Sequence, residues 1–373
     1  MNLLILVSIV GLGFIWIGYP LGVALLAALR PARVHDQERD DGPVSIILAT
    51  NDEAPAVRAR VANLLASSYP ADRIEVVVAL DAARARTSIA ELSTGMDPRV
   101  RVVAGDPPGG KASTLNAAVR AARHDTLIFT DTAQTFDRNA VPELVRALRD
   151  PKVGAVSGIL DLPIRSTGPT LADRYWRYER WIRNAEARLY SAVGVTGAIY
   201  ATRRAEWAPL PAGLILDDVY VPMRLALAGW RIGFTDRARA FDGRRFSAAQ
   251  ERQRKIRTLT GVIQLCVWLP NVLNPMRNPL WVQFTCHKLL RLLTPYLAAL
   301  GLVGGLWKLG AMIVSSGVGV EAIPVLALAV VALLIPRVRR GLATQLAWGY
   351  ALQSSIIVAT VNGMRGRWDV WQS

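Results

Sequence analysis

The chain has 373 residues, is 52% hydrophobic, and carries 44 Lys and Arg against 29 Asp and Glu, a formal charge of +15. So much apolar sequence at this length argues against a wholly soluble protein and for one globular domain plus a membrane region. Two cysteines in apolar surroundings and three scattered histidines leave no basis for a disulfide framework or a His- or Cys-built metal centre.

Residues 3–29 form an uncharged apolar stretch, longer than the roughly 7–15 residues of a signal-peptide core. Basic residues follow it, at Arg30, Arg33 and Arg39. The pattern predicts a retained transmembrane helix over 1–30, with the next domain in the cytoplasm. Trp16 and Tyr19 inside it are candidates for contact with other helices.

Residues 43–255 alternate strand and helix signals, as in an α/β, doubly wound sheet. A strand over 44–49 runs into Thr50-Asn51-Asp52-Glu53, and a helix follows over 53–67. A strand over 74–80 ends at Asp81, and a short one follows over 100–103. The Gly109-Gly110-Lys111 turn precedes a helix over 115–123. A strand over 126–130 stops on Asp131, a helix covers 138–148, and a strand covers 153–157. Residues 170–189 are aromatic and arginine-rich at helical spacing. They read either as a helix with a core face and a solvated face, or as the wall of an acceptor groove with Trp176, Tyr178 and Trp181.

Residues 256–279 read as an amphipathic helical region on the membrane surface. Residues 280–373 offer about three spans. The first, 280–306, carries His287, Lys288 and Arg291, so its first half is expected at the interface. The second covers 312–335 and is stopped by Pro336 and the basic Arg337, Arg339 and Arg340. The third, 342–361, is rich in small residues suited to close helix packing. Arg365 and Arg367 beyond it prefer the cytoplasmic side, so the topology of the last segment stays open.

Ligands of open α/β sheets bind beyond the carboxyl ends of the strands. Asn51, Asp81, Lys111 and Asp131 are expected to cluster there. A basic turn among acids suits a nucleoside diphosphate held partly by a divalent cation, Mg²⁺ or Mn²⁺. Neither a Walker A loop nor GxGxxG is present. Asp217-Asp218 follows an apolar stretch, with only one of the two side chains expected to face the cleft. A carboxylate there can take the proton of an attacking hydroxyl.

These residues resemble the membrane-anchored, inverting family 2 glycosyltransferases, the superfamily of cellulose-, chitin- and hyaluronan-synthase-like enzymes with the GT-A fold. Ala49-Thr50-Asn51-Asp52-Glu53 is similar to the family's A-x-N-E-E stretch, and Asp81 to the first acid of D-G-S-x-D. Gly110-Lys111-Ala112 through Leu115-Asn116 resembles G-K-A-x-x-L-N, and Asp131 the first acid of D-x-D. Residues 195–201 resemble G-x-x-G-A-x-Y-A, and Asp217-Asp218 the acidic pair whose second member is the base. Two second acids are missing, because Ala82–Ala85 and Thr132-Ala133 stand where they would be. No Q-x-x-R-W motif occurs; residues 250–257, with Arg254 and Arg257, are the nearest analogue.

The resemblance implies a nucleotide-sugar donor bound by Asn51, Glu53, Asp81, Lys111 and Asn116, with a divalent cation at Asp131. It implies an acceptor near Gly197 and Trp181, Arg254 and Arg257 on the leaving diphosphate, and Asp218, beside Asp217, as base. The acceptor would be lipid-linked or a glycan, in polysaccharide biosynthesis at the cell envelope, on an enzyme integral to the plasma membrane. A catalytically inactive relative that binds nucleotide or scaffolds polysaccharide assembly is the alternative. A nucleic-acid partner is disfavoured, since much of the basic excess flanks apolar segments.

Overall fold

The computed structural model describes residues 2–32, 41–162, 171–244, 246–316 and 336–369. Arg33, His35, Arg39 and residues 317–335 of the expected second C-terminal span lie outside the described residues. Eight strands build one sheet: β1 (Val44–Thr50), β2 (Ile74–Leu80), β3 (Val100–Ala104), β4 (Thr126–Thr130), β5 (Gln134–Phe136), β6 (Val153–Asp161), β7 (Ile199–Arg203) and β8 (Arg231–Asp242). Their order is β3-β2-β1-β4-β7-β6-β8-β5.

The central strands are apolar on both faces because helices cover both. Ile46 and Leu48 of β1 face Val57, Val61 and Leu64 of the helix Ala54–Leu65. Ile47 between them faces Leu115 and Ala118 of the helix Lys111–Ala121. This period of two is what a strand buried on both sides requires. β1 pairs in parallel with β2 and β4. β7 enters antiparallel to both β4 and β6, and β6 runs parallel to β8. The carboxyl ends of β1, β2, β4, β6 and β8 therefore share one edge.

Several boundaries differ from the sequence reading. The helix expected over 115–123 begins at Lys111, so the lysine stands on a rigid first turn. β7 lies later than the resemblance suggested, and β5 and β8 were not anticipated. β8 alternates Arg and Asp with apolar residues and is partly exposed along its length, which hides its signal. The basic stretch 250–257 and the apolar stretch after it form a single helix, Ala248–Trp268, opened by a Ser247–Gln250 capping box. Its Gly261 abuts Leu216, and Val262 and Leu265 join the core beneath the sheet. The boundary expected at 255/256 thus falls inside one helix, and that helix packs on the sheet domain.

Among the described residues, Asn2–Leu29 and Trp281–Ala311 are long and apolar enough to cross a membrane. Gly11 meets Leu297, and Gly304 meets Ile5, so small residues bring the two helices close. Their outer faces expose Leu6, Ile9, Leu21, Leu302 and Trp307. His287 and Arg291, in the half expected at the membrane interface, are buried within the protein. Glu186 accepts from Tyr19 Oη at 2.6 Å and lies 2.9 Å from His287 Nδ1. Glu179 lies 3.1 Å from His287 Nε2 and pairs with Arg291. A buried ion is tolerated when paired and hydrogen-bonded; here the partners lie on the helix Leu171–Leu189. Trp16 meets Tyr175 and Tyr178 of the same helix, with ring centroids 6.4 and 6.2 Å apart.

Candidate active site

The Gly-Gly-Lys turn is fastened by Asp81. Its Oδ1 accepts from the backbone N–H of Ala83 at 2.9 Å and Arg84 at 3.0 Å. Its Oδ2 accepts from Gly110 N–H at 2.7 Å. Gly109 passes so close that a Cβ there would lie 2.9 Å from both Ala83 N and Asp81 Oδ1, and its φ is +90°. Only glycine holds that conformation without strain. Gly109→Ala is expected to destabilise the chain by about 2 kcal/mol and to weaken any ligand gripped by Lys111; thermal melting and ligand titration check both.

Lys111 is the hub. Its Nζ lies 3.2 Å from Asp131 Oδ1 and 3.3 Å from Asp217 Oδ2. Burial alone would lower its ammonium, but Asp131, Asp217 and Asp218 outweigh burial and hold it above the ordinary lysine value. Asp217 and Asp218 open the helix Asp217–Leu227, where the helix dipole favours anions. The sequence reading placed only one of them toward the cleft. In the structure Asp217 reaches Lys111, and Asp218 interacts with both Asp217 and Lys111. The first helical turn can direct two successive side chains to one corner.

Asp218 is the acid of this corner displaced upward from the ordinary carboxylate range. Burial and the Asp217 charge push it up to about 6, against the pull of Lys111, Arg257 and Arg183. Its Oδ1 is buried without a hydrogen-bond partner. The loop before β7 is tied to it, since Val195 N–H donates to the Asp218 carbonyl at 2.9 Å. A Cβ on Gly197 would sit 3.3 Å from Asp218 Cβ, so this glycine leaves room beside the acid. Tyr200, stacked on Phe129 at 4.6 Å, floors the corner. Its hydroxyl is also buried without a partner.

Arg60 was missed by sequence reasoning, because an arginine in a helix reads as solvated. It is 2% exposed. It donates to the Asp131 carbonyl at 3.2 Å and to Thr130 Oγ1 at 2.5 Å, and lies 4.3 Å from the Phe136 ring centre. Burial lowers its guanidinium to about 9 while Asp131 opposes that. It fixes the end of β4 and hence Asp131. Arg244, also unanticipated, grips Asp242 through two bonds of 2.9 and 2.7 Å, within the field of Asp131 and Asp52.

The other expected residues separate. Asn51 follows β1 beside Asp81, and its carbonyl accepts from Arg86. Glu53 precedes the helix Ala54–Leu65 and pairs with Arg86 at 3.6 Å. Both are exposed at the ligand edge. Asn116 is not brought to the cluster. Its amide exchanges two 2.8 Å bonds with the backbone of Leu210, so it braces a loop. Arg257 acts on Asp218, whereas Arg254 lies 4.1 Å from the Phe246 ring centre. Trp181 lies in a separate cleft on the β6–β8 side.

Among the described residues no three His, Cys, Asp or Glu side chains converge to cage a metal. A hard cation needs less when its ligand brings oxygens: one or two carboxylates, substrate phosphates and waters suffice. The Asp131 carboxylate, 37% exposed at its strand end, fits that kind of site and not an all-protein one.

Parallel strands ending on acids around a helix-borne lysine give an α/β sheet with a charged ligand edge. Residues 42–263 match the family described as Glycosyltransferase like family 2, and the chain belongs to it. It is 34% identical over 126 residues to the glycosyltransferase AglD of Haloferax volcanii, covering 33% of this chain and 20% of that protein. It is 26% identical over 205 residues to the probable glycosyltransferase YdaM of Bacillus subtilis, covering 51% of this chain and 48% of that one. The chain thus spans about half or less of the length of these curated relatives. A solved structure, the mannosyltransferase PcManGT of Pyrobaculum calidifontis in complex with GDP-Man and Mn²⁺, shares its GT-A-type fold. The TM-score is 0.70 at 21% identity, over 97% of this chain and 99% of that one.

Proposed function

We propose that the chain transfers a sugar from a nucleoside-diphosphate sugar to an acceptor hydroxyl, with inversion, at a membrane. The observation that carries this reading is Asp218, a carboxylate whose buried Oδ1 has no hydrogen-bond partner and which stands beside a lysine-held acidic corner. The nucleoside lies over Asn51, Glu53 and Asp81, and the diphosphate over Lys111. Asp131 would hold a divalent cation, Mg²⁺ or Mn²⁺, which when bound would neutralise charge on the leaving group. Asp218 accepts the proton of the acceptor hydroxyl as its oxygen bonds the anomeric carbon. The bond to the diphosphate breaks, and its electron pair leaves with the nucleoside diphosphate. Lys111 and Arg257 stabilise that departing charge, the electrostatic contribution that weighs most in such steps. The GDP-Man and Mn²⁺ of the structural neighbour make these the first ligands to test.

Two apolar helices with exposed outer faces support attachment to a bilayer. Arg30 after the first supports a cytoplasmic catalytic domain in the plasma membrane. A lipid-linked or glycan acceptor, destined for the cell envelope, suits that placement. The missing second acid after Asp131 motivates one other reading, a relative that binds nucleotide without turnover.

A radiolabelled transfer assay over a panel of nucleotide sugars separates the two. Transfer is expected; donor binding without transfer to any lipid or glycan acceptor favours the inactive relative. With one carboxylate available, the cation is expected to bind only together with the donor. Calorimetry should show no heat for Mn²⁺ alone and a strong response with nucleotide present, lost in Asp131→Asn. Tight Mn²⁺ binding to the ligand-free chain would contradict a donor-completed site.

A further inference from the structure

The helix Leu171–Leu189 works on two faces. Glu179 and Glu186 tie it to the apolar helices. Arg183, four residues after Glu179 and three before Glu186 on that same face, donates to Thr196 Oγ1 at 3.3 Å, next to the Gly197 that packs on Asp218. The opposite face carries Arg177, Arg180, Trp181 and Asn184, at i, i+3, i+4 and i+7, which aligns them in one stripe. That stripe lines a cleft of about 380 Å³ completed by Asp236 and Arg239 of β8. The volume falls in the range of ligand pockets, about 300–1,000 Å³.

Three guanidinium groups face one lining carboxylate here. Asp161, at the end of β6, fixes two of them, with Arg180 at 3.1 Å and Arg239 at 2.6 Å. Arg177 is exposed, and its guanidinium has no ion-pair or hydrogen-bond partner among the described residues. Trp181, 41% exposed, offers an apolar wall beside them. The cleft belongs to the β6–β8 half of the ligand edge, away from the Asn51, Asp81 and Lys111 half. Fixed guanidinium groups match the paired oxygens of phosphate or carboxylate.

We infer that this cleft binds an anionic group, phosphate or carboxylate, carried by the acceptor. The inference rests on the glycosyl-transfer reading for the word acceptor, and on the cleft alone for the anion. The full chain in neutral detergent is titrated with two matched pairs: octyl phosphate against octanol, and methyl glucuronide against methyl glucoside. In at least one pair the charged member is expected to bind at least tenfold tighter. A phosphate preference assigns a lipid-borne phosphate, and a glucuronide preference assigns an acidic glycan. Arg177→Ala, at an exposed side chain with no ion-pair or hydrogen-bond partner among the described residues, should cut the preference below threefold. Equal or absent binding in both pairs, or a preference that survives in both Arg177→Ala and Arg180→Ala, overturns the site. Nucleotide-sugar binding is measured in the same samples. Intact donor binding without charge preference overturns this cleft alone, whereas a chain that binds no nucleotide sugar overturns the transfer reading.

Discussion

Asp218→Asn is expected to lower kcat by about 10³-fold, the middle of the range for losing a positioned general base, with donor affinity little changed. The amide keeps the shape and cannot take the acceptor proton. The wild-type kcat/KM should rise with pH through about 6, where Asp218 loses its proton. The variant should lack that limb. Stability should move the other way. The folded chain holds the Asp218 proton up to about 6, and an unfolded chain only to about 3.9. Between those values the folded state binds more protons, so this group's contribution to stability falls as pH rises. Above pH 6 the ionised side chain is a standing cost. Asp218→Asn removes it and should gain about 1–2 kcal/mol at neutral pH, a trade of activity for stability common at active sites. Melting curves at pH 5 and pH 8 check this: the gain should appear at pH 8 and shrink at pH 5.

Lys111→Met should have the second large effect. It leaves Asp131, Asp217 and Asp218 in one corner with their central cation gone. Breaking such a mostly buried pair costs about 3 kcal/mol, and donor affinity should fall about a hundredfold with the diphosphate's lysine removed. One sign separates this from simple unfolding. The acidic limb of any residual kcat/KM profile should move above pH 6, because Lys111 holds Asp218 down. An unshifted limb would remove Lys111 from the hub.

The sheet's parallel half was legible because its strands are buried on both faces. Ile74–Leu80 and Thr126–Thr130 match the sequence reading end to end, since continuous apolar runs bounded by an acid leave little ambiguity. β5 and β8 were not. Three residues carry no period, and arginines at a half-exposed edge mask alternation. The carboxylates at the strand ends were legible for the same reason as the strands. What the side chains do with one another was not. Asp81, expected at the ligand, also fastens the Gly109–Gly110 turn, and Asn116 braces Leu210. Arg60 and the Glu179–His287–Arg291 cluster are long-range pairings, separated by about 70–110 residues, and no local pattern announces them.

The account stands or falls on one corner of the sheet. A structure of the full chain with a nucleotide sugar and Mn²⁺ tests it most directly. The diphosphate should lie against Lys111 and Asp131, with the anomeric carbon open to the free oxygen of Asp218 across a space one hydroxyl wide. A nucleotide seated elsewhere, or a sugar whose anomeric carbon is screened from Asp218, would contradict it.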